Sequence, residues 1–511
     1  MNTIQMYDAQ ADSIKVEDIA TNENNRIMLS RIERNSVHDR NNHSLWIQSE
    51  HDDDGEECVD YVPEGANDMG WLGYFIGKNE YLTNLNIRTF EPLSGASVME
   101  VLEPFFSGIS NNKSITHLDI GFMDLLGGKI FTILSPFFES SQTIGHITIQ
   151  DCYAGDEGWR LLALALGSCK HKSLECVEIN DNDISDEALV DIITALSMHP
   201  NLKSIELNKN RLCTKGCMAL ATLLRSSVTK LEWLHLDSNE INDEGLDALL
   251  PALKNCSHLK SLSLDDNSAV SSKGWQRLGS LLEAPYLNFT NLYLAGNNNV
   301  NDEVVTALTR ALTNNHKLTS LGIDDCTAIT DEGWNVFSTK LLCDTSSVNA
   351  TYLSNHTLEY VTSMNGISTS RASLQPLLDM NHKGDKKEVA IIKILQNHNG
   401  FDMTSFFEWE FKVLPLMIDW FEKASTVDMP EDFEPNIGPR KLSSIYQFVR
   451  GMPLLYVETR LKKELEDIKA SESKMVEEQH GLEENPLDLE TKCQLSQKRK
   501  RNITERLDQQ W

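Results

Sequence analysis

The sequence predicts an α/β solenoid, in which short parallel strands form an open sheet and helices form a second layer behind it. Three observations lead to this prediction: an aliphatic triplet recurs at nearly constant spacing, a short polar residue follows most triplets, and a helix-start pattern comes next. A chain of 511 residues is too long for one compact core, whereas stacked modules bury a long chain layer by layer.

The aliphatic triplet has the form L-x-x-L-x-L, and from Ile115 to Val348 its starts lie 28 to 30 residues apart. Three side chains of each triplet are expected to point inward from one strand while the residues between them face outward, since side chains alternate along a strand. The starts are Leu82, Ile115, Ile144, Leu174, Leu202, Leu231, Leu259, Phe289, Leu318 and Val348.

A short polar residue stands eight positions after most triplet starts, where the chain leaves the strand. An Asn amide at this turn can bond both an N–H and a C=O group that would otherwise be buried unpaired. The residues at this position are Cys152, Asn182, Asn210, Asn239, Asn267, Asn297 and Cys326.

A helix-start pattern follows the turn, as in Ile184-Ser-Asp-Glu and Ile241-Asn-Asp-Glu-Gly. We expect helix N-caps at Ser185, Asn242, Asn301 and Thr330, with the acidic pairs placed against the positive end of each helix dipole. The tryptophans that recur in this part of the unit are expected to pack in the helix layer: Trp71, Trp159, Trp275 and Trp334.

The period and the strand-then-helix unit resemble the ribonuclease-inhibitor class of leucine-rich repeats, over roughly residues 65 to 360. This resemblance implies a horseshoe with parallel concave strands and convex helices, and Cys as an accepted substitute for the turn Asn. It also implies an α-helical C-terminal cap over the last repeat. We call the outward strand positions between the triplet residues the concave face.

The flanks differ from the repeats in composition. We expect an acidic N-terminal segment without fixed structure at 1–65, the solenoid at 66–360, a linker at 361–386, a helical region at 387–470 and a mobile charged tail at 471–511. The acidic run at 51–57 is a docking tail or a solvated linker, and the basic run at 498–501 is a nuclear import signal or a solvated stretch. The large apolar residues of the helical region form the cap or a partner groove: Phe406, Phe407, Trp409, Phe411, Trp420 and Phe421.

The net charge of the chain indicates which classes of binding partner to expect. A net charge of -30 disfavours nucleic acid and anionic membrane, which need a basic footprint, and favours a protein with basic patches. Neither a signal peptide nor a membrane span is expected. Ten scattered cysteines, with Cys213 and Cys217 interpreted as packing residues, suit reduced thiols in a cytoplasmic protein, or in a nuclear one if the basic run is an import signal.

No nucleotide-binding, metalloprotease or hydrolase motif occurs, so we expect no catalytic residue, cofactor or resident metal. Aromatic residues among acids on the concave face and its turns instead predict a protein-binding surface. The alternative is an unused face that tolerates aromatics. The candidate partner-binding residues are Trp233, His235, Tyr293, Glu178, Glu206, Glu232, Asp237, Asp265 and Asp266.

Another concave group consists of His117, His146 and Cys176, which occupy one outward position in three successive repeats. Adjacent strands lie about 4.8 Å apart, close enough for these side chains to share a soft metal ion. Side chains of any type would align equally well at this position, and no fourth ligand is assigned.

Two functions are compatible with these patterns. The first is a non-catalytic interaction scaffold that binds a protein with basic patches on the concave face. The second rests on a resemblance to the Ran GTPase-activating protein, which shares this repeat type and an acidic character; it implies a small GTPase as partner and an enzyme activator without an active site of its own. Arg88, just after the first strand, is the candidate counterpart of that family's loop residues.

Overall fold

Eleven parallel strands form one open sheet in the computed structural model, each beside the next in chain order. The structure describes residues 3–35, 43–48, 60–88, 98–226, 230–284, 287–361, 374–383 and 385–398, and the isolated positions 463, 465–469 and 498. The strands are β1 Ser44–Gln48, β2 Asn84–Arg88, β3 His117–Asp124, β4 His146–Tyr153, β5 Cys176–Asn180, β6 Ser204–Glu206, β7 Trp233–His235, β8 Ser261–Ser263, β9 Asn291–Tyr293, β10 Ser320–Gly322 and β11 Tyr360–Val361.

Helices alternate with the strands, as parallel neighbours require a crossover connection. Their bounds are α1 Thr3–Gln10, α2 Val16–Ile19, α3 Glu23–Arg34, α4 Ala66–Lys78, α5 Val98–Ile109, α6 Lys129–Ser140, α7 Gly155–Gly167, α8 Asp186–Leu196, α9 Thr214–Arg225, α10 Asp243–Leu253, α11 Ser272–Leu281, α12 Asp302–Thr313, α13 Asp331–Val336, α14 Val348–Tyr352, α15 Gln375–Lys383 and α16 Lys386–Asn397. The predicted fold class, a solenoid of strands and helices, is confirmed.

Nine of the ten predicted triplets form strands, each beginning two residues after the triplet start. The tenth prediction, at Val348, is wrong. Ser347 accepts a hydrogen bond from the Ala350 N–H at 3.0 Å and caps α14 there, so this segment is helical. The last strand of the sheet is β11, with Leu358 and Val361 buried.

The N-terminal part of the chain differs from the expectation for residues 1–65. Residues 3–35 form three helices, and Leu29 and Ile32 of α3 are buried in the core. Leu45 of β1 pairs with Leu85 of β2, which adds a strand before the first predicted one. The triplet pattern does not reveal β1 because these paired residues are separated by more chain than the regular period. The acidic run at 51–57 lies outside the described residues.

The polar turn residues are buried and bond as expected. The Asn239 amide donates to the carbonyls of Leu207 at 2.9 Å and Leu236 at 3.1 Å, and its oxygen accepts the Leu212 N–H at 2.9 Å. These bonds join the repeat of Asn239 to the repeat before it. At the cysteine variants the thiol donates instead, as Cys326 does to the Leu294 carbonyl at 3.3 Å.

The four expected N-caps are present; Asn242, for example, accepts the Gly245 N–H at 2.9 Å. The aspartate after the cap also links repeats. Asp243 accepts the backbone N–H of Ser271 at 2.7 Å and its hydroxyl at 2.6 Å, and Ser271 is the N-cap of the next helix. The Asp243 carboxylate therefore holds two successive repeats together.

The core lies between the sheet and the helices. Trp71, Trp159 and Trp275 are buried and Trp334 packs partly buried against the same cluster, which confirms their place in the helix layer. The eight cysteines of the described residues form no disulfide. None of the helices in this described part is long and apolar enough to cross a membrane.

The chain divides into two compact units, the first comprising Met1–Leu342 and Thr357–Leu378 and the second Cys343–His356 and Asp379–Trp511. The whole sheet belongs to the first. In the second, Lys393 is fully buried and its ammonium donates to Asn381 Oδ1 at 2.9 Å. Burial lowers the pKa of Lys393 to about 7.

Two described helices fall in the C-terminal part of the chain. Helix α15 lies within the predicted linker, and α16 begins the predicted helical region. The aromatics at 406–421 and the basic residues at 499–501 lie outside the described residues, so the cap and the import signal stay predictions.

Candidate functional site

The concave face is organised in rows, one residue per strand, because the strands pair in register. The middle row brings together four predicted site residues, Glu178, Glu206, His235 and Tyr293. In order along the sheet, this row is Asp119, Thr148, Glu178, Glu206, His235, Ser263 and Tyr293.

Glu178 and Glu206 form the acidic centre of this row. Thr148 Oγ1 donates to Glu178 at 3.3 Å and the Cys176 thiol at 3.4 Å. Burial, and then the charge of Glu206, raise the pKa of Glu178 above its ordinary value. In the part of the chain that the structure describes, no Lys or Arg forms an ion pair with Glu178.

The sequence predicts that His235 is exposed among the aromatics of the concave face, but the residue is buried. Its Nδ1 lies 3.3 Å from the Glu206 carboxylate and its Nε2 lies 3.4 Å from Ser261 Oγ. The contact with His235 lowers the pKa of Glu206. His235 therefore positions Glu206 and offers little surface of its own.

Trp233 is the exposed aromatic of this region, with 38% of its surface accessible. Lys260 Nζ lies 5.5 Å from the centre of its ring and 2.5 Å from the Glu232 carboxylate, so Glu232 is already neutralised within the chain. Tyr293 is half-buried, and its hydroxyl accepts the Asn291 amide N–H at 2.9 Å.

Two predicted site acids, Asp237 and Asp265, serve the backbone where strand pairing ends. Asp237 Oδ1 accepts the Asp265 N–H at 2.9 Å, and Asp265 Oδ1 accepts the Ala295 N–H at 2.6 Å. Asn208 accepts the Asp237 N–H at 2.8 Å in the same way, so each of these three side chains bonds a backbone N–H of the next repeat. Asp266, in the turn that follows, is exposed.

Asp265 makes the stability of the fold depend on pH. Burial, and then the charge of Asp237, raise the pKa of Asp265 from 3.8 to about 7. The folded chain thus binds the proton of Asp265 more tightly than the unfolded chain does. Protonation of Asp265 therefore stabilises the fold at low pH, and this stabilisation is lost as pH rises through about 4 to 7. Asp265→Asn cannot titrate, and its side-chain oxygen can still accept the Ala295 N–H.

We expect the free energy of unfolding of the wild type, relative to Asp265→Asn, to fall by about 1 to 2 kcal/mol between pH 5 and pH 8. The partial exposure of Asp265 keeps this fall below the free energy that corresponds to its whole pKa shift. Urea unfolding at the two pH values measures this difference. A difference that is the same at both would contradict the prediction.

The row of His117, His146 and Cys176 is confirmed as a set of neighbours in register on β3, β4 and β5. The two imidazole rings lie 4.2 Å apart, and burial, then the charge of His146, lower the pKa of His117. No group of three His, Cys, Asp or Glu side chains among the described residues is arranged to hold a metal ion.

Arg88 ends β2 in a fixed position. Its guanidinium lies 2.8 Å from the Asp119 carboxylate, 5.4 Å from the centre of the Trp46 ring and 5.6 Å from that of Phe122. The segment at 89–97 that follows lies outside the described residues.

Two exposed aromatics at the carboxyl ends of β3 and β4 were not among the sequence candidates. Phe122 is 41% exposed and Tyr153 is 71% exposed. Their signal in the sequence is positional: Phe122 stands directly before the turn position of its repeat, and Tyr153 directly after the turn residue Cys152. Both positions are polar or small in most other repeats.

Comparisons with known proteins agree with this architecture. The Leucine Rich repeat family model matches residues 170–192, 229–250 and 314–334. NACHT, LRR and PYD domains-containing protein 4C of Mus musculus is 29% identical over 164 residues, which cover 32% of this chain and 16% of the relative. Protein 13 of the same series, from Homo sapiens, is 28% identical over 258 residues, covering 50% and 24%.

A third relative, RAN GTPase-activating protein 2 of Arabidopsis thaliana, is 26% identical over 110 residues, covering 22% of this chain and 20% of the relative. Each match thus spans less than a quarter of the relative's own length. Together with the open sheet of eleven parallel strands and its helix layer, these matches show a leucine-rich-repeat solenoid that resembles the ribonuclease-inhibitor-like class.

Proposed function

We propose that the chain is a non-catalytic scaffold whose concave face binds a protein segment rich in lysine or arginine. The observation that carries the proposal is the acidic centre of the middle row, where Glu178 stands beside Glu206 without a Lys or Arg partner among the described residues. A cation from a partner would relieve the repulsion between Glu178 and Glu206, which adds to burial in raising the pKa of Glu178. It would also gain from the partial burial of both carboxylates.

The aromatic residues near this centre supply apolar contact area. Trp233 and Tyr293 stand on β7 and β9, and the serines of β8 lie between them. Large aromatics beside charged groups at the middle of a surface are typical of binding hot spots. The net charge of -30 favours encounter with a basic partner and makes the association weaken with added salt.

The test compares variants of the full chain. After affinity capture from the native cell and identification of a bound protein, its Kd is measured for wild type, Trp233→Ala, Tyr293→Ala and Glu178→Gln. We expect each variant to bind at least about ten-fold more weakly, because each removes part of one hot spot, while thermal unfolding is unchanged.

Met218→Ala is the matched control. Met218 is 57% exposed on α9, on the helix side of the sheet, and its replacement is expected to leave the Kd as it is. Equal binding by wild type and all three concave-face variants would count against the proposal.

A second candidate is a GTPase activator, favoured by the similarity to the relative named RAN GTPase-activating protein 2. Arg88 would be the acting residue, but it would first have to leave its ion pair with Asp119. Multiple-turnover GTP hydrolysis by a panel of small GTPases tests this. Acceleration that is lost in Arg88→Ala supports the activator, and no acceleration by the wild type rejects it for that panel.

A further inference from the structure

We propose that a second surface, which we call the rim cleft, binds an arginine side chain of a protein partner. The cleft is a cavity of about 610 Å³ at the carboxyl ends of β3 and β4, and Phe122, Asp124, Asp151 and Tyr153 are among the residues that line it. None of these four residues belongs to the proposed concave site. The inference therefore does not rest on the proposed function.

The cleft exists because two strands are longer than the others. Strands β3 and β4 have eight residues each, whereas β6 to β10 have three. The extra length pairs Met123 with Cys152 and Asp124 with Tyr153, and the Leu125 N–H donates to the Tyr153 carbonyl at 2.8 Å. The extension carries two exposed aromatics beyond the point where the shorter strands end.

Phe122 has a strained backbone conformation. Its φ of 56° lies in the left-handed region, which a bulky aromatic residue rarely adopts. Its ring lies beside the guanidinium of Arg88, which the Asp119 carboxylate fixes at 2.8 Å. The ring is thus supported on the protein side, and 41% of the residue surface remains accessible.

The charge of the cleft is unbalanced. Four aspartates line it, but Asp181 pairs with Lys209 at 2.9 Å and Asp183 pairs with Arg211.

The other two, Asp124 and Asp151, are exposed, and neither forms an ion pair with any described Lys or Arg. Asp124 uses one oxygen to accept the Leu126 N–H at 2.7 Å. The cleft therefore presents two carboxylates that form no ion pair among the described residues, beside two aromatic rings.

Arginine fits this combination better than lysine does. A guanidinium is planar, stacks on aromatic rings and donates two parallel hydrogen bonds to a carboxylate. A lysine ammonium is a point charge with a stronger hydration shell, so it gains less from the rings. The contact of Arg88 with Phe122 already shows one guanidinium beside the ring of this residue.

The experiment uses the full chain and two probes, the blocked tripeptides acetyl-Arg-Arg-Arg-amide and acetyl-Lys-Lys-Lys-amide. Both are titrated calorimetrically in about 0.15 M salt, which screens the long-range attraction to an acidic protein. We expect the arginine peptide to bind at least about five-fold more tightly than the lysine peptide. Tyr153→Ala and Asp151→Asn should each weaken the arginine peptide by a similar factor, and Tyr153→Phe should preserve its binding because the ring remains.

Met218→Ala is the matched control, because it alters an exposed side chain on α9 and leaves the rim cleft intact, while Trp233→Ala reports any binding of the peptide to the concave face. Thermal unfolding of Tyr153→Ala is expected to match the wild type, since this side chain is largely exposed. Equal affinity of the wild type for the two peptides would overturn the proposal, as would unchanged arginine binding in Tyr153→Ala. Binding lost in Trp233→Ala but kept in Tyr153→Ala would assign the peptide to the concave face and overturn it too.

Discussion

Replacing Gly73 by alanine is expected to lower the free energy of unfolding by about 3 kcal/mol, because helices α4 and α5 contact each other there through their backbones. A Cβ at Gly73 would overlap the backbone of Phe105, with the Phe105 Cα only 2.7 Å away. Gly108 on α5 faces Gly73 in the same manner. A helix backbone cannot turn aside as a flexible side chain can, so the two helices would have to separate.

Gly167→Ala is the matched control, since Gly167 also lies in a helix, at the end of α7. The nearest heavy atom to a Cβ there is that of Ala195 at 3.9 Å, an ordinary contact. Alanine is a better helix former than glycine, so this variant should be as stable as the wild type or slightly more stable. Urea unfolding of both variants decides the matter: equal stabilities would show that the close helix contact does not exist.

Asn239→Ala is expected to cost about 2 to 4 kcal/mol, because it leaves several buried backbone groups without a partner. The amide joins the carbonyls of Leu207 and Leu236 and the N–H of Leu212, which belong to neighbouring turns of the solenoid. Asn239→Cys should cost less, since a thiol can replace one of these bonds, as Cys326 does in its own repeat.

Asn255→Ala provides the comparison, because Asn255 is an exposed asparagine whose amide donates to the Pro251 carbonyl at 3.1 Å. Its loss is expected to change the free energy of unfolding by less than about 0.5 kcal/mol. Chemical denaturation of the three variants gives the order. If Asn239→Ala were as stable as Asn255→Ala, the buried ladder would contribute nothing to the fold.

The regular repeats could be predicted from sequence because every signal in them is local. A triplet such as Leu231, Leu234 and Leu236 points inward through the alternation of a strand, and the residues after it turn and cap a helix within a few positions. The end strands β1 and β11 could not be predicted in this way, because their spacing to the neighbouring strand departs from the period. Val348 continues the triplet pattern, but it lies in a segment that is helical and that Ser347 caps.

The candidate site was less predictable, because availability to a partner depends on neighbours a full repeat away. Glu232 and Asp265 look alike in the sequence, since both are acids near a strand. In the structure Lys260 forms an ion pair with Glu232, whereas Asp265 accepts the backbone N–H of Ala295. His235 has the outward position of its strand but is buried between Glu206 and Ser261.

The amino-acid sequence by itself determined the repeat period, the inward-facing aliphatic residues, the turn amides and the helix caps, since each depends on residues close together in the chain. Only the tertiary structure decided which acids remain without a cation and where exposed aromatics gather. Ion pairs and the rim cleft depend on side chains that meet across adjacent repeats, and their distances follow from strand length and register rather than from any local pattern.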